Sequence, residues 1–241
     1  MSDVALLSPP DFKMYTQRWQ QLASGSDSDA LRACLLSSQG KVMNYVYLPN
    51  ETTVALLSAV GTVAIQLKFV VVPDATRPAP AETFTLALYG IDRNDNPTSA
   101  YYLASVPPMP ATVQQSTSNE AVPFDLASTW LLNWAQLQPD DLTASLFDSR
   151  TEQGPLLGYT YPLPDFLAVL TQLKLPLSPA LWFDFALHSY DNPGATVAGE
   201  SRLFGTVVTL GSVPPPDQPG VIRLASELYY YDLAQPSPPR P

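Results

Sequence analysis

The chain has 241 residues, of which 46% are hydrophobic and only 14% charged, with 22 acids against 12 bases for a net charge of −10. That length suits one large domain or two of about 100–120 residues. No two basic residues are adjacent, which argues against nucleic-acid backbones and anionic membrane surfaces, since both need clustered Lys and Arg.

The start, MSDVALLSPP, lacks the basic n-region and long apolar run of a signal peptide. No segment approaches the ~18–20 apolar residues that cross a bilayer. These features lead to the expectation of a cytoplasmic protein. Cys34 is the only cysteine and His188 the only histidine, so neither an internal disulfide nor a zinc site is expected. No Walker or dinucleotide-binding motif occurs, and no cofactor is expected.

In chain order, residues 8–24 read as a capped helix. Ser8 can cap, Pro9 and Pro10 suit a first turn, and Phe12, Tyr15, Trp19 and Leu22 share one face. A short helix is expected over 29–36, a strand over 42–48, a helix over 51–59 and an apolar strand over 62–72. Strands over 84–91 and 100–105 complete the series.

The same order then recurs. Ala127, Trp130, Trp134 and Leu137 repeat the helical face 115 positions on (134 − 19), and both tryptophans read as core. A short helix is expected over 140–147, a strand over 156–161, a helix over 165–173, and strands over 181–190, 203–210 and 227–233. The segment at 40–57 echoes that at 154–170: Gly40, Tyr45, Tyr47 and Leu56 match Gly154, Tyr159, Tyr161 and Leu170, each 114 positions on (154 − 40).

The expected fold is therefore α+β. It has two tandem homologous units, each helix-helix-strand-helix-three strands, packed with approximate two-fold symmetry as in an isologous dimer. The units span 1–106 and 124–233, a Pro/Ser/Thr-rich linker spans 107–123, and a Pro-rich tail is expected to be disordered over 234–241.

Few residues suggest chemistry. In the strand 181–190, Asp184 and His188 share a face but stand about 13 Å apart at ~3.3 Å per residue, too far for a direct pair. An acid on so apolar a strand needs a partner or a wet face. Asp184 aligns with Lys68 (184 − 68 gives 116), and a pairing of the two across the halves is one possibility. If the protein is an enzyme, Asp184 and His188 are the catalytic candidates, in a hydrolase with acidic residues in the groove between the units. The run Asp92 to Pro97 begins like a calcium loop but has Pro97 where the EF-hand needs Gly, so it reads as a turn. Cys34 aligns with Ser145 and reads as an inert thiol.

Tyrosine offers the other route. Tyr101, Tyr102, Tyr229, Tyr230 and Tyr231 fall in strands, where alternation turns some outward. Exposed tyrosine with little charge nearby is the composition of a protein-binding surface, although tyrosine is also a natural strand former.

The pattern from Trp19 to Leu36, from Gly61 to Leu67 and from Phe84 to Asp92 resembles short uncharacterised bacterial proteins. In these an amphipathic helix and a second helix precede a Gly-x-x-x-Ile strand, and a later strand ends in Gly-Ile-Asp. The resemblance implies no activity and no site residues. The expected function is a non-enzymatic binding or scaffold protein with a protein partner. The alternatives are the hydrolase and a subunit of a larger assembly. The sequence does not determine the oligomeric state.

Overall fold

A computed structural model describes residues 5–25, 27–74, 77, 81–106, 124–149, 154–171, 179–190, 201–212 and 235–236. The expected linker over 107–123, the expected strand over 227–233 and all of the tail beyond 235–236 lie outside them. Helices and antiparallel strands alternate along the described chain, an α+β arrangement with two sheets.

The first half opens with strand β1 (Leu6–Leu7), helix α1 (Pro9–Ala23) and helix α2 (Ser28–Cys34). The start of α1 is the one expected: the Asp11 amide donates to Ser8 Oγ at 3.3 Å, and Pro9 and Pro10 occupy the first turn. Asp27 caps α2 through the Ala30 amide at 2.9 Å. Strand β2 (Tyr45–Leu48), helix α3 (Asn50–Leu57) and strands β3 (Ala64–Pro73), β4 (Glu82–Ile91) and β5 (Tyr101–Leu103) follow. Arg77, in the β3–β4 connection, donates to the Ala33 and Leu36 carbonyls at 3.3 Å and to the Glu82 carbonyl. It thereby closes the C-terminal end of α2 onto the hairpin.

The second half begins with helix α4 (Phe124–Ala135). Where a short helix was expected there are two 3₁₀ turns, Pro139–Asp141 and Ala144–Phe147. Leu142 between them is extended, with ψ at 99°, which interrupts the helical hydrogen-bond ladder. Strand β6 (Gly158–Pro162), helix α5 (Leu163–Thr171), strands β7 (Pro179–Tyr190) and β8 (Ser201–Ser212), and the two-residue strand β9 (Gln235–Pro236) complete the described elements.

Each sheet is built from both halves. The larger has the order β1-β5-β4-β3-β6-β9 and the smaller β2-β7-β8. The first half's β2 pairs with the second half's β7, Tyr45 opposite Asp184 and Leu48 opposite Leu181. The second half's β6 pairs with the first half's β3, Tyr161 opposite Ile65 and Gly158 opposite Lys68. Each half thus donates its short strand to the other half's hairpin. The exchange ends alike on both sides: the Phe69 amide donates to the Leu157 carbonyl at 3.0 Å, and the Phe185 amide to the Asn44 carbonyl at 2.7 Å.

The inner faces of the two sheets meet in one core. Ile65, Leu67, Phe69 and Val71 of β3 face Leu181, Phe183, Phe185 and Leu187 of β7 across it. Phe69 and Phe204 stand 5.4 Å apart between ring centroids, and Phe84 and Phe185 5.6 Å, spacings that suit edge-to-face aromatic packing. Trp19 and Trp134 are core residues, as the helical periodicity predicts, whereas Trp130 is half-buried against a smaller cluster. Trp19 and Trp134 each reach in where the exchanged strand stops. Trp19 Nε1 donates to the Leu156 carbonyl at 2.9 Å, and Trp134 Nε1 to the Met43 carbonyl at 2.8 Å. The two bonds satisfy both buried indoles and carbonyls of the crossing chain that no strand partner reaches.

One correspondence differs from the sequence reading. Tyr45 and Tyr47 lie on the outer face of the small sheet beside Trp182, whereas Tyr159 and Tyr161 point into the core. The ladders place Tyr159 where the other half has Val46, and Tyr161 where it has Leu48. The matched Tyr-x-Tyr motifs are one residue out of step, and a one-residue slip in a strand reverses every side chain.

Candidate functional site

The residues between the halves are aromatic and aliphatic, so the described structure fills with core the place where an acidic groove was expected. Asp184 is half-buried and points with Trp182, Ala186 and His188 to the outer face of the small sheet. Lys68 projects from the outer face of the other sheet, and this geometry directs the two charges away from each other. His188 is buried at 4% exposure. Its ring stacks on Trp130 at 3.9 Å and 16°. On its other side lies Gly205, where an added Cβ would come within 2.2 Å of His188 Nε2. This sandwich explains why a histidine sits in so apolar a strand: its ring is used as a flat packing plate.

The tyrosines divide in the same way. Tyr102 is buried at 8% exposure and belongs to the core. Tyr101 is half-buried on the outer side. Tyr229, Tyr230 and Tyr231 lie outside the described residues. Cys34 is buried, and burial pushes its thiol pKa up to about 12. It is therefore a neutral thiol at neutral pH, not a nucleophile. In the turn after β4, the Asp92 carboxylate accepts from the Asn96 amide at 2.9 Å and the Asn94 amide at 2.8 Å. These bonds hold Asp92 below its usual pKa. Among the described residues no three His, Cys, Asp or Glu side chains gather as metal ligands would.

Tyr101 leads to a place, among the described residues, where polar and aromatic groups converge. Its ring stacks on Phe12 at 4.0 Å, and Tyr89 meets both edge-on, at 5.4 Å from Phe12 and 5.0 Å from Tyr101. The Tyr89 hydroxyl donates to Gln66 Oε1, which fixes its ring. Beside this trio a cleft of about 170 Å³ opens under α1, lined by Phe12, Thr16, Gln17, Gln20, Lys68, Phe69, Tyr89 and Leu157. Leu157 comes from the second half, at the point where its chain leaves β3.

The chemistry of the lining is specific. Thr16 Oγ1 is committed to the Phe12 and Lys13 carbonyls at 2.9 and 3.0 Å, so its methyl group is left for the cleft. Arg18, next along α1, is held by Glu82 through paired bonds of 2.9 and 2.7 Å that also raise its pKa. Lys68 is therefore the cation of the cleft. Gln17 and Gln20 are exposed at the rim, each with an amide able to donate and accept. This set offers a positive charge, amides and an aromatic wall, which suits binding. The lining contains no nucleophile paired with a base. Sequence reasoning noted Lys68 only as a partner for Asp184. The available signal was its position as the one charge in the ten-residue apolar strand Ala64–Pro73.

No family model matches the sequence, and comparison with curated proteins and with solved structures finds no match.

Proposed function

We propose that this chain is a duplicated, strand-exchanged scaffold that binds a protein partner on the α1 face of its larger sheet, without catalysis. The duplication is supported by reciprocity: β2 on β7 against β6 on β3, and Trp19 on Leu156 against Trp134 on Met43. An approximate two-fold relation follows naturally from such an exchange, with units over 1–106 and 124–233. The observation that carries the binding reading is the cleft under α1, where Lys68 lies beside a fixed wall formed by Phe12 and Tyr89. Rigid aromatic anchors beside a single charge are the usual makings of a recognition hot spot.

The test is photo-crosslinking in the source cells, with benzoylphenylalanine placed at Gln17 and, as a control, at Leu132 on the matching turn of α4. The proposal expects a discrete protein adduct from Gln17 that Lys68→Glu abolishes. Equal adducts from both positions, or a Gln17 adduct indifferent to Lys68→Glu, would refute it.

A further inference from the structure

We propose that the outer edge of β8 is the docking edge for the chain's own segment 231–233, in the register that β5 takes on β4. This rests on the duplication reading above and carries it to β5, which has no described counterpart in the second half.

The ladders fix which edges correspond. The Phe69 and Phe185 amides end the two exchanges alike, which makes Lys68 and Asp184 equivalent rungs. Lys68 pairs with Ala87 and Asp184 with Val207, so Ala87 matches Val207 and Leu88 matches Val208. In the larger sheet β4 stands between β3 and β5, whereas β8 ends the order β2-β7-β8. β8 is 12 residues long, with Arg202 its single charge and no proline. It lacks the devices that usually guard an open edge against foreign strands.

Two described residues mark the route of the chain. Just past β5, Ser105 bridges to Tyr47 of β2 through backbone bonds of 3.0 and 2.8 Å. On the other side Gln235 pairs with Thr160 of β6, and Thr160 holds the rung that matches Tyr47. Gln235 therefore stands where Ser105 stands. Leu103, two positions before Ser105, is already paired with Ala87 of β4. The same step back from Gln235, about 7 Å of extended chain, sets Leu233 opposite Val207 and Asp232 opposite Val208.

The sequence agrees with that register. Tyr101, Leu103, Ala104 and Pro108 match Tyr231, Leu233, Ala234 and Pro238 without a gap, each 130 positions on (231 − 101). Packing agrees as well. Leu103 lies with Ala87, Val70 and Val72 under α1. Val207 and Ala186 lie with Ala127 and Leu131 under α4, an apolar seat for Leu233. Asp232 falls at the place of Tyr102, at the sheet margin, where an acid needs water within reach.

The experiment uses the full chain carrying Val207→Cys and Leu233→Cys. The Ala104 amide donates to the Leu86 carbonyl at 2.8 Å, so the neighbouring rung Ala87–Leu103 is a non-hydrogen-bonded one, where side chains come closest. The matching rung in the second half then suits a disulfide. Buried Cys34 keeps its proton and takes no part. The proposal expects air oxidation to link the two cysteines within each folded chain, read as the loss of two hydrogens by mass. The pair Val207→Cys with Tyr231→Cys, two residues out of register, should stay reduced. A disulfide between two chains gives the edge to a second copy and overturns the proposal, as does a folded protein that stays reduced. Backbone proton contacts in the unsubstituted chain decide the matter where the cysteines disturb folding. Contacts of Leu233 with Val207 and of Asp232 with Val208 are expected, and their absence overturns the proposal. If they are absent while Gln66 still meets Thr160 and Val46 still meets Phe183, the exchange stands and only the place of 231–233 is wrong. If all four are absent, the duplication reading falls too.

Discussion

The outer faces of the two hairpins carry the same frame and opposite contents. On β3–β4, α1 brings Phe12, Thr16, Gln17 and Gln20 over Lys68 and leaves a cleft. On β7–β8, α4 brings Ala127, Trp130 and Leu131 down onto Ala186 and Val207, and His188 is pressed flat beneath Trp130. Lys68 and Asp184 occupy equivalent rungs with opposite charge. The inner faces hardly differ: each supplies aliphatic residues, phenylalanines and one tryptophan that bonds to a carbonyl of the other half. The inner side must fit the shared core, so its chemistry is constrained. The outer side answers only to its own helix, and on β3–β4 it leaves a cleft of about 170 Å³.

The strongest way to break this comparison is to remove the two tryptophans separately. Trp19→Ala and Trp134→Ala should each cost about 3–5 kcal/mol, read by chemical denaturation. Because both fill the same kind of gap at the end of an exchanged strand, the two losses should agree closely. A near-neutral result for either would show that its half does not depend on the shared core.

The next largest effect tests the crossing itself. Gly158 has φ of 146°, and a Cβ there would lie 2.0 Å from the Leu67 carbonyl oxygen. Gly158→Ala should destabilise by about 2–4 kcal/mol through overpacking and backbone strain. Gly205→Ala meets a side chain instead, and should cost less while forcing His188 against Trp130. The latter is visible as a change in tryptophan fluorescence. A reversed order would mean that the β3–β6 contact is looser than described.

A smaller effect sharpens the register. The Tyr159 hydroxyl donates to the Phe204 carbonyl at 2.7 Å, and the Tyr161 and Thr206 hydroxyls are 3.0 Å apart. Tyr159→Phe and Tyr161→Phe should each cost about 1 kcal/mol. Tyr47→Phe, on the outer face beside Trp182, should cost nothing measurable. If all three behave alike, the two Tyr-x-Tyr strands are in step after all.

The smallest effect concerns the thiol found only in the first half. The Cys34 pKa is raised, so the folded state holds this proton where the unfolded chain has lost it. Its stabilising effect is complete below the free thiol's pKa and is lost as pH rises from there toward about 12. Stability should fall by about 1 kcal/mol between pH 7.5 and 9.5, and Cys34→Ala should flatten that limb. An unchanged pH profile in Cys34→Ala would place the alkaline loss elsewhere.

Much of this was legible in the sequence because it is local. Ser8, Pro9 and Pro10 announce the start of α1, and the spacing of Phe12, Tyr15, Trp19 and Leu22 gives its face. Alternation in 181–188 correctly sends Phe183 and Phe185 inward and Asp184 outward. Strand partners are not local. Nothing in the spacing of residues 42–48 says that they pair with the far hairpin. The motif match failed because two tyrosines flanking one residue look identical in either register, while the strand ladder distinguishes faces. The cleft was illegible for the same reason: it joins α1, β3, β4 and a residue of the second half across the exchange. The packing role of His188 needed Gly205 and Trp130, which lie 17 and 58 positions away (205 − 188 and 188 − 130).

The most direct test is of the exchange, on which the core, the cleft and the comparison all depend. Cross-strand proton contacts in a fully labelled sample would decide it. The structure predicts contacts between the backbones of Gln66 and Thr160 and of Val46 and Phe183, joining each short strand to the other half's hairpin. Contacts of Val46 with β3 and of Tyr159 with β7, each strand staying within its own half, would contradict it.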